Sequence, residues 1–84
     1  MMGHRYKADV LDQLALHGVK PTPETRPELV HEFLNDLYRY ELRRLRDRLL
    51  RQDIAKSDYS SRVVEVRLRY PMLSRRVWQW TESL

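Results

Sequence analysis

No glycine or proline interrupts the stretch from Glu28 to Ile54, and a single helical pattern runs through it. Take Val30 as the origin of a helical wheel advancing about 100° per residue. Leu34, Leu37, Glu41 and Leu45 then fall within roughly 60° of it. Phe33 and Tyr40 flank this line on one side; Tyr38, Leu42 and Leu49 flank it on the other. An apolar face that wide is broader than a coiled-coil seam and needs neighbours on both flanks. Leu, Arg and Glu are good helix formers, so composition agrees with the periodicity. A helix over 27–54 follows, and the rest of the chain has to fit around it.

Charge runs the same way. Glu28, Glu32 and Asp36 are the only charged side chains from 28 to 38. From 39 to 51, Arg39, Arg43, Arg44, Arg46, Arg48 and Arg51 stand against Glu41 and Asp47. Acid early and base late suits the helix macrodipole. Three charges escape that explanation. Glu41, Arg44 and Arg48 project toward the apolar side, where a charge is either paired within the chain or covered by a partner.

The flanking segments read as shorter elements. Tyr6, Val10, Leu14 and His17 make one line, with Leu11 beside it, predicting a first helix over 6–17. Gly18 sits where a left-handed residue ends a helix, and Val19 can fold back on Leu14. Pro21, Pro23 and Pro27 stiffen the connection that reverses the chain and lays the first helix against the second. Thr25 and Glu28 have capping-box spacing, and Pro27 suits a first helical turn. Ser57 or Asp58 offers a cap for a third helix over 58–70. Within it Val64, Val66, Leu68 and Tyr70 alternate as a strand would. Tyr59, Val63, Val66, Tyr70 and Leu73 also form a helical stripe. The helix is chosen because a lone strand has no partner in this chain. Pro71 ends the element, and Ser74 can cap a short C-terminal helical turn. Trp78 and Trp80, two residues apart, do not share a helical face, so one docks on the core and the other lies at the surface. The expected architecture is an all-α bundle of three main helices plus a final turn, a single helical domain over 1–84.

Chemistry is hard to place on this chain. It has no cysteine, which removes thiolate nucleophiles, disulfides and cysteine zinc sites. His4, His17 and His31 show no metal-ligand spacing, and Glu32 with Asp36 reads as a solvated acidic face. Ser57, Ser60, Ser61 and Ser74 sit where capping serines belong, and two glycines cannot build a phosphate loop. The expectation is a non-enzymatic protein with no cofactor, metal or small-molecule substrate. No segment has the apolar run of a membrane span, and Met1 to Val10 lacks a signal-peptide core, so a cytoplasmic, membrane-free protein is expected.

Binding remains. Aromatic residues and arginine concentrate interface energy. Tyr38, Arg44, Arg48, Tyr70, Trp78 and Trp80 are therefore the candidates for contact with another protein, or with a second copy in a homodimer. The net charge of +4, with thirteen arginines among sixteen basic residues, raises the alternative of a sequence-tolerant nucleic-acid binder. That reading would use Arg39, Arg43 and Arg46 opposite Val30, extended by Arg67, Arg69, Arg75 and Arg76. Interleaved acids argue against it, since evenly mixed charge is ordinarily a solvated face.

Overall fold

The computed structural model describes residues 3–82. Helix α1 spans Ala8–Ala15, α2 Pro27–Leu50 and α3 Lys56–Leu68; two 3₁₀ turns follow at Pro71–Ser74 and Val77–Gln79. The fold is all-α, and the alternating segment 64–70 is helical up to Leu68. The only pairing of extended backbone among the described residues is an antiparallel bridge between Tyr6 and Thr81.

That bridge explains why α1 starts after Tyr6. Lys7 N–H donates to the Trp80 carbonyl at 2.9 Å and Glu82 N–H to the Arg5 carbonyl at 2.8 Å. His4 N–H reaches the Pro23 carbonyl at 2.7 Å, and the Tyr6 hydroxyl reaches the Thr25 carbonyl at 2.7 Å. Residues 4–7 thus lie between the proline loop and the end of the chain. Trp80 is fully buried there, its indole N–H donating to the Met72 carbonyl at 3.3 Å. Trp78 lies at the surface, as the two-residue spacing requires.

The proline loop reverses the chain, yet α1 is not among the elements running alongside α2. Helix α3 and both 3₁₀ turns take that place. Polar ties bind α1 to the C-terminal segment instead: Arg75 to Asp9 at 2.7 Å, and His17 to the Arg69 carbonyl at 2.6 Å. Thr25 does not cap α2. Its hydroxyl serves the loop, accepting from Thr22 N–H at 3.0 Å, while Pro27 opens the helix. Neither Ser57 nor Asp58 caps α3, which starts at Lys56 after Ala55 without a side-chain cap. The Ser74 hydroxyl returns to the Pro71 carbonyl.

Helices α1 and α2 end in the same way. Val19 N–H bonds the Leu14 carbonyl and Gly18 N–H the Ala15 carbonyl, both at 3.0 Å, with Gly18 at φ +74°. Asp53 N–H bonds the Arg48 carbonyl at 2.9 Å and Gln52 N–H the Leu49 carbonyl at 3.0 Å, with Gln52 at φ +63°. Both are Schellman motifs. The second stops α2 at Leu50, short of the Ile54 expected from periodicity, and carries a side chain in a left-handed conformation.

The molecule is long and thin, 54 × 18 × 16 Å, with a radius of gyration of 15.6 Å. A compact chain of this length would have about 12 Å. The cause is the unequal length of the elements. The N-terminal half of α2 carries Pro27, Val30 and Leu34 into a core that also holds Tyr6, Val10, Leu14, Met72 and Trp80. Its C-terminal half has only α3 beside it. There Leu45 and Val66 are buried, with Leu42, Ile54, Tyr59 and Val63 partly covered. A globular end therefore continues into a two-helix arm.

The cap geometry sets two stability outcomes. A Cβ at Gly18 would meet nothing within 4 Å, so Gly18→Ala tests backbone strain alone. It should cost about 1 kcal/mol in urea unfolding. Gln52→Gly relieves the same strain at the arm's tip and should stabilise by roughly 0.5 kcal/mol, the relief exceeding the added freedom of the unfolded chain.

Candidate interaction surface

Glu41 is the carboxylate that periodicity places on the inner face of α2, and it is paired within the chain. Its Oε2 accepts a hydrogen bond from the Tyr70 hydroxyl, and its Oε1 accepts from Arg69 Nη2 at 3.0 Å. Tyr70 is buried; its ring stacks on His17 at 4.3 Å between centroids and meets Tyr38 edge-on at 5.5 Å. The Arg69 carbonyl only accepts, so His17 Nε2 carries the proton of that 2.6 Å bond. One knot of side chains thus joins the end of α1, the middle of α2 and the end of α3.

Magnitudes decide which bond matters most there. Arg69 is mostly exposed, so its ion pair is worth about 0–1 kcal/mol. Tyr70 is buried, and leaving the hydroxyl of a buried residue without a partner costs about 1–3 kcal/mol. Burial, then the hydrogen bond and charge of Glu41, push the Tyr70 phenol up to about 12. Burial, with the charge of Glu28, also raises Tyr6. At the other end the bonded Arg75 guanidinium lowers Asp9.

The aromatic and arginine residues singled out from sequence do not form one patch. Tyr70 and Trp80 are enclosed by the chain's own side chains and offer no contact surface, because the knot around Glu41 and the core at the globular end use them. Tyr38 is half-buried against Tyr70. Trp78 is 74% exposed, but at the globular end beside Lys7, Thr81 and Glu82. Arg44 lies over the Tyr40 ring at 5.8 Å, and Arg48 lines a cleft between α2 and α3. The alternative arginine set divides too. Arg39, Arg43 and Arg46 share a shallow cleft with Leu42 and Tyr59. Arg67 is exposed on α3, Arg69 is tied to Glu41, and Arg75 is tied to Asp9 while Arg76 lies exposed near it.

What is exposed instead is one flank of α2. Tyr38, Leu42 and Leu49 are partly covered, as a wide apolar face requires. On the other flank Leu29, Phe33 and Tyr40 remain at least half exposed, and Leu37 between them is partly covered. Leu16 and Leu68, 77% and 72% exposed, stand beside Leu37 and Tyr40 around a hollow of about 600 Å³. Gln13, His17, Glu41 and Arg69 rim that hollow. The positions of Phe33 and Tyr40 on the helical wheel already mark this flank. The exposure of Leu16 and Leu68 has no local signal in the sequence, since it depends on where the helices end. No protein-family model matches the chain, and neither a curated protein nor a solved structure is similar to it.

The knot gives a pH signature. An unfolded phenol titrates near about 10, so the folded state holds the Tyr70 proton more tightly. The resulting stability is intact below that value and disappears as pH climbs through about 12. Urea unfolding across this alkaline range should show Tyr70→Phe losing stability less steeply than the parent chain. Equal slopes for the two would mean that the phenol is not held as described.

Proposed function

We propose that this chain is a non-enzymatic interaction module that pairs with a second copy of itself through the open flank of α2. The observation that carries the reading is the exposed apolar strip Leu29–Phe33–Tyr40, with Leu37 partly covered along its inner edge, on a helix whose opposite flank is packed inside the chain. Surface area supports it. The chain exposes 6583 Å², against about 5,400 Å² for a compact monomer of its mass. A standard interface buries about 800 Å² per partner, so one pairing removes most of that excess.

Charge favours a second copy as the occupant. Along the rim of the strip, Glu32 and Asp36 come first, and Arg39 and Arg43 follow. Two such helices crossing antiparallel near Leu37 set Phe33 of one beside Tyr40 of the other. The acidic end of each then meets the basic end of its partner. A two-fold contact of this kind is self-complementary and closed. His17 and the serines support a binding role over a chemical one. His17 is spent on Arg69 and Tyr70, and Ser57, Ser60 and Ser61 lie exposed at the start of α3.

Sedimentation equilibrium over a range of concentrations should show a dimer. Phe33→Glu leaves the core untouched and would bury a carboxylate against Tyr40 of the second copy, a cost absent in the monomer; it should raise the dissociation constant at least about 100-fold. Its circular dichroism should match the parent. Asp36→Arg should weaken the pair, and Arg43→Asp added to it should restore affinity. A monomer at every concentration would sink the proposal.

A further inference from the structure

Ten basic and five acidic side chains lie between residues 39 and 69, against six and seven in the rest of the sequence. The whole net charge of the molecule therefore sits on the arm. In sequence order the acids of α2 appear mixed with its arginines. In space Glu28, Glu32 and Asp36 belong to the globular half, and the arginines continue beyond them along the rod.

On one side of the arm Arg44, Arg48 and Arg62 line a cleft of about 270 Å³ between α2 and α3, with Glu41, Glu65 and Arg69. Glu41 and Arg69 neutralise each other. No carboxylate among the described residues comes within 4.0 Å of Arg44, Arg48 or Arg62. Glu65 is the one acid left facing them. Three arginine side chains from two helices thus border a hollow with a single unpaired opposing charge. Such forks suit the oxygens of a phosphate, to which arginine donates bidentately.

We propose that this cleft binds the phosphodiester backbone of a nucleic acid. The second side of the arm favours a polymer over an isolated phosphate group. Arg39, Arg43 and Arg46, with Tyr59, line the other shallow cleft, so positive charge continues around the hairpin. A repeating polyanion can occupy both; one phosphorylated side chain can use only one. The cleft does not rest on self-association, because Arg48 and Arg62 lie on the arm beyond the Phe33–Tyr40 strip, whereas Arg44, Arg39 and Arg43 border that strip.

A fluorescently labelled single-stranded oligouridylate, titrated by anisotropy at low salt, tests this on the full chain. Binding should weaken on adding salt with a log–log slope of magnitude about 2 or more, the three arginines of the α2–α3 cleft supplying about 2 and the second cleft adding to it. Arg44 and Arg62 are exposed, so Arg44→Gln/Arg62→Gln should fold as the parent does, checked by thermal unfolding. That variant should bind at least about 10-fold more weakly and lose about 1.4 from the slope magnitude. Glu65→Gln should bind more tightly. No binding at low salt, or binding that the double variant leaves unchanged, would overturn the proposal. So would a monophosphorylated peptide competing as well as the oligonucleotide at equal concentration. Sedimentation separates the two proposals, since Arg62→Gln alone, which lies away from the strip, should still dimerise and Phe33→Glu should still bind the oligonucleotide.

Discussion

Everything distal to the middle of α2 hangs on the bond between the Tyr70 hydroxyl and the Glu41 carboxylate. Glu41 occupies a position where the helical repeat calls for an apolar residue, and a bare carboxylate there would be costly. Tyr70 brings a hydroxyl to it from the end of α3, and its ring spans from His17 to Tyr38. The pair satisfies both polar groups and fixes where α3 ends against α2. It also fixes where the arm begins, because beyond it toward the tip Leu45 and Val66 are the only buried residues among those described.

Much of this was legible in the residues, and the failures have physical causes. Gly18 announced its left-handed turn because glycine is the residue that adopts it without strain. The identical turn at Gln52 was silent, since nothing about glutamine predicts φ +63°. The tertiary structure imposes that conformation, and α2 therefore stops four residues earlier than its periodicity suggests. Tyr6 fits the stripe of α1 yet lies in extended backbone, because pairing with Thr81 satisfies groups that a longer helix would leave open. That pairing joins opposite ends of the sequence, so no local window contains it. The role of Glu41 was half legible: its place on the inner face required a partner, but Tyr70 and Arg69 could be named only once the helices were seen to run side by side.

The surface residues show the same division. Periodicity marked Phe33 and Tyr40 as apolar flank and Tyr70 and Trp80 as aromatic. It could not say which pair was enclosed. Residue type ranks candidates for an interface, whereas exposure decides among them, and exposure follows from the lengths of the neighbouring elements. Because α3 has 13 residues and α2 has 24, one helix cannot cover the other.

That mismatch of lengths also separates the charges. A helix fully wrapped by its neighbours would bring its acidic start and basic end under one screening surface. Here the acidic start is built into the globular end, and the basic end projects with α3 over a molecule 54 Å long. At physiological ionic strength the Debye length is about 8 Å, so charges at opposite ends do not compensate each other. A partner approaching the arm meets its excess of five positive charges, not the molecule's average of +4. The linear mixing of acids and arginines in the sequence is therefore a poor guide to the field. In the proposed antiparallel pair, this segregation would match charge along α2 and leave the far portions of both arms basic, where an anionic ligand would relieve the repulsion.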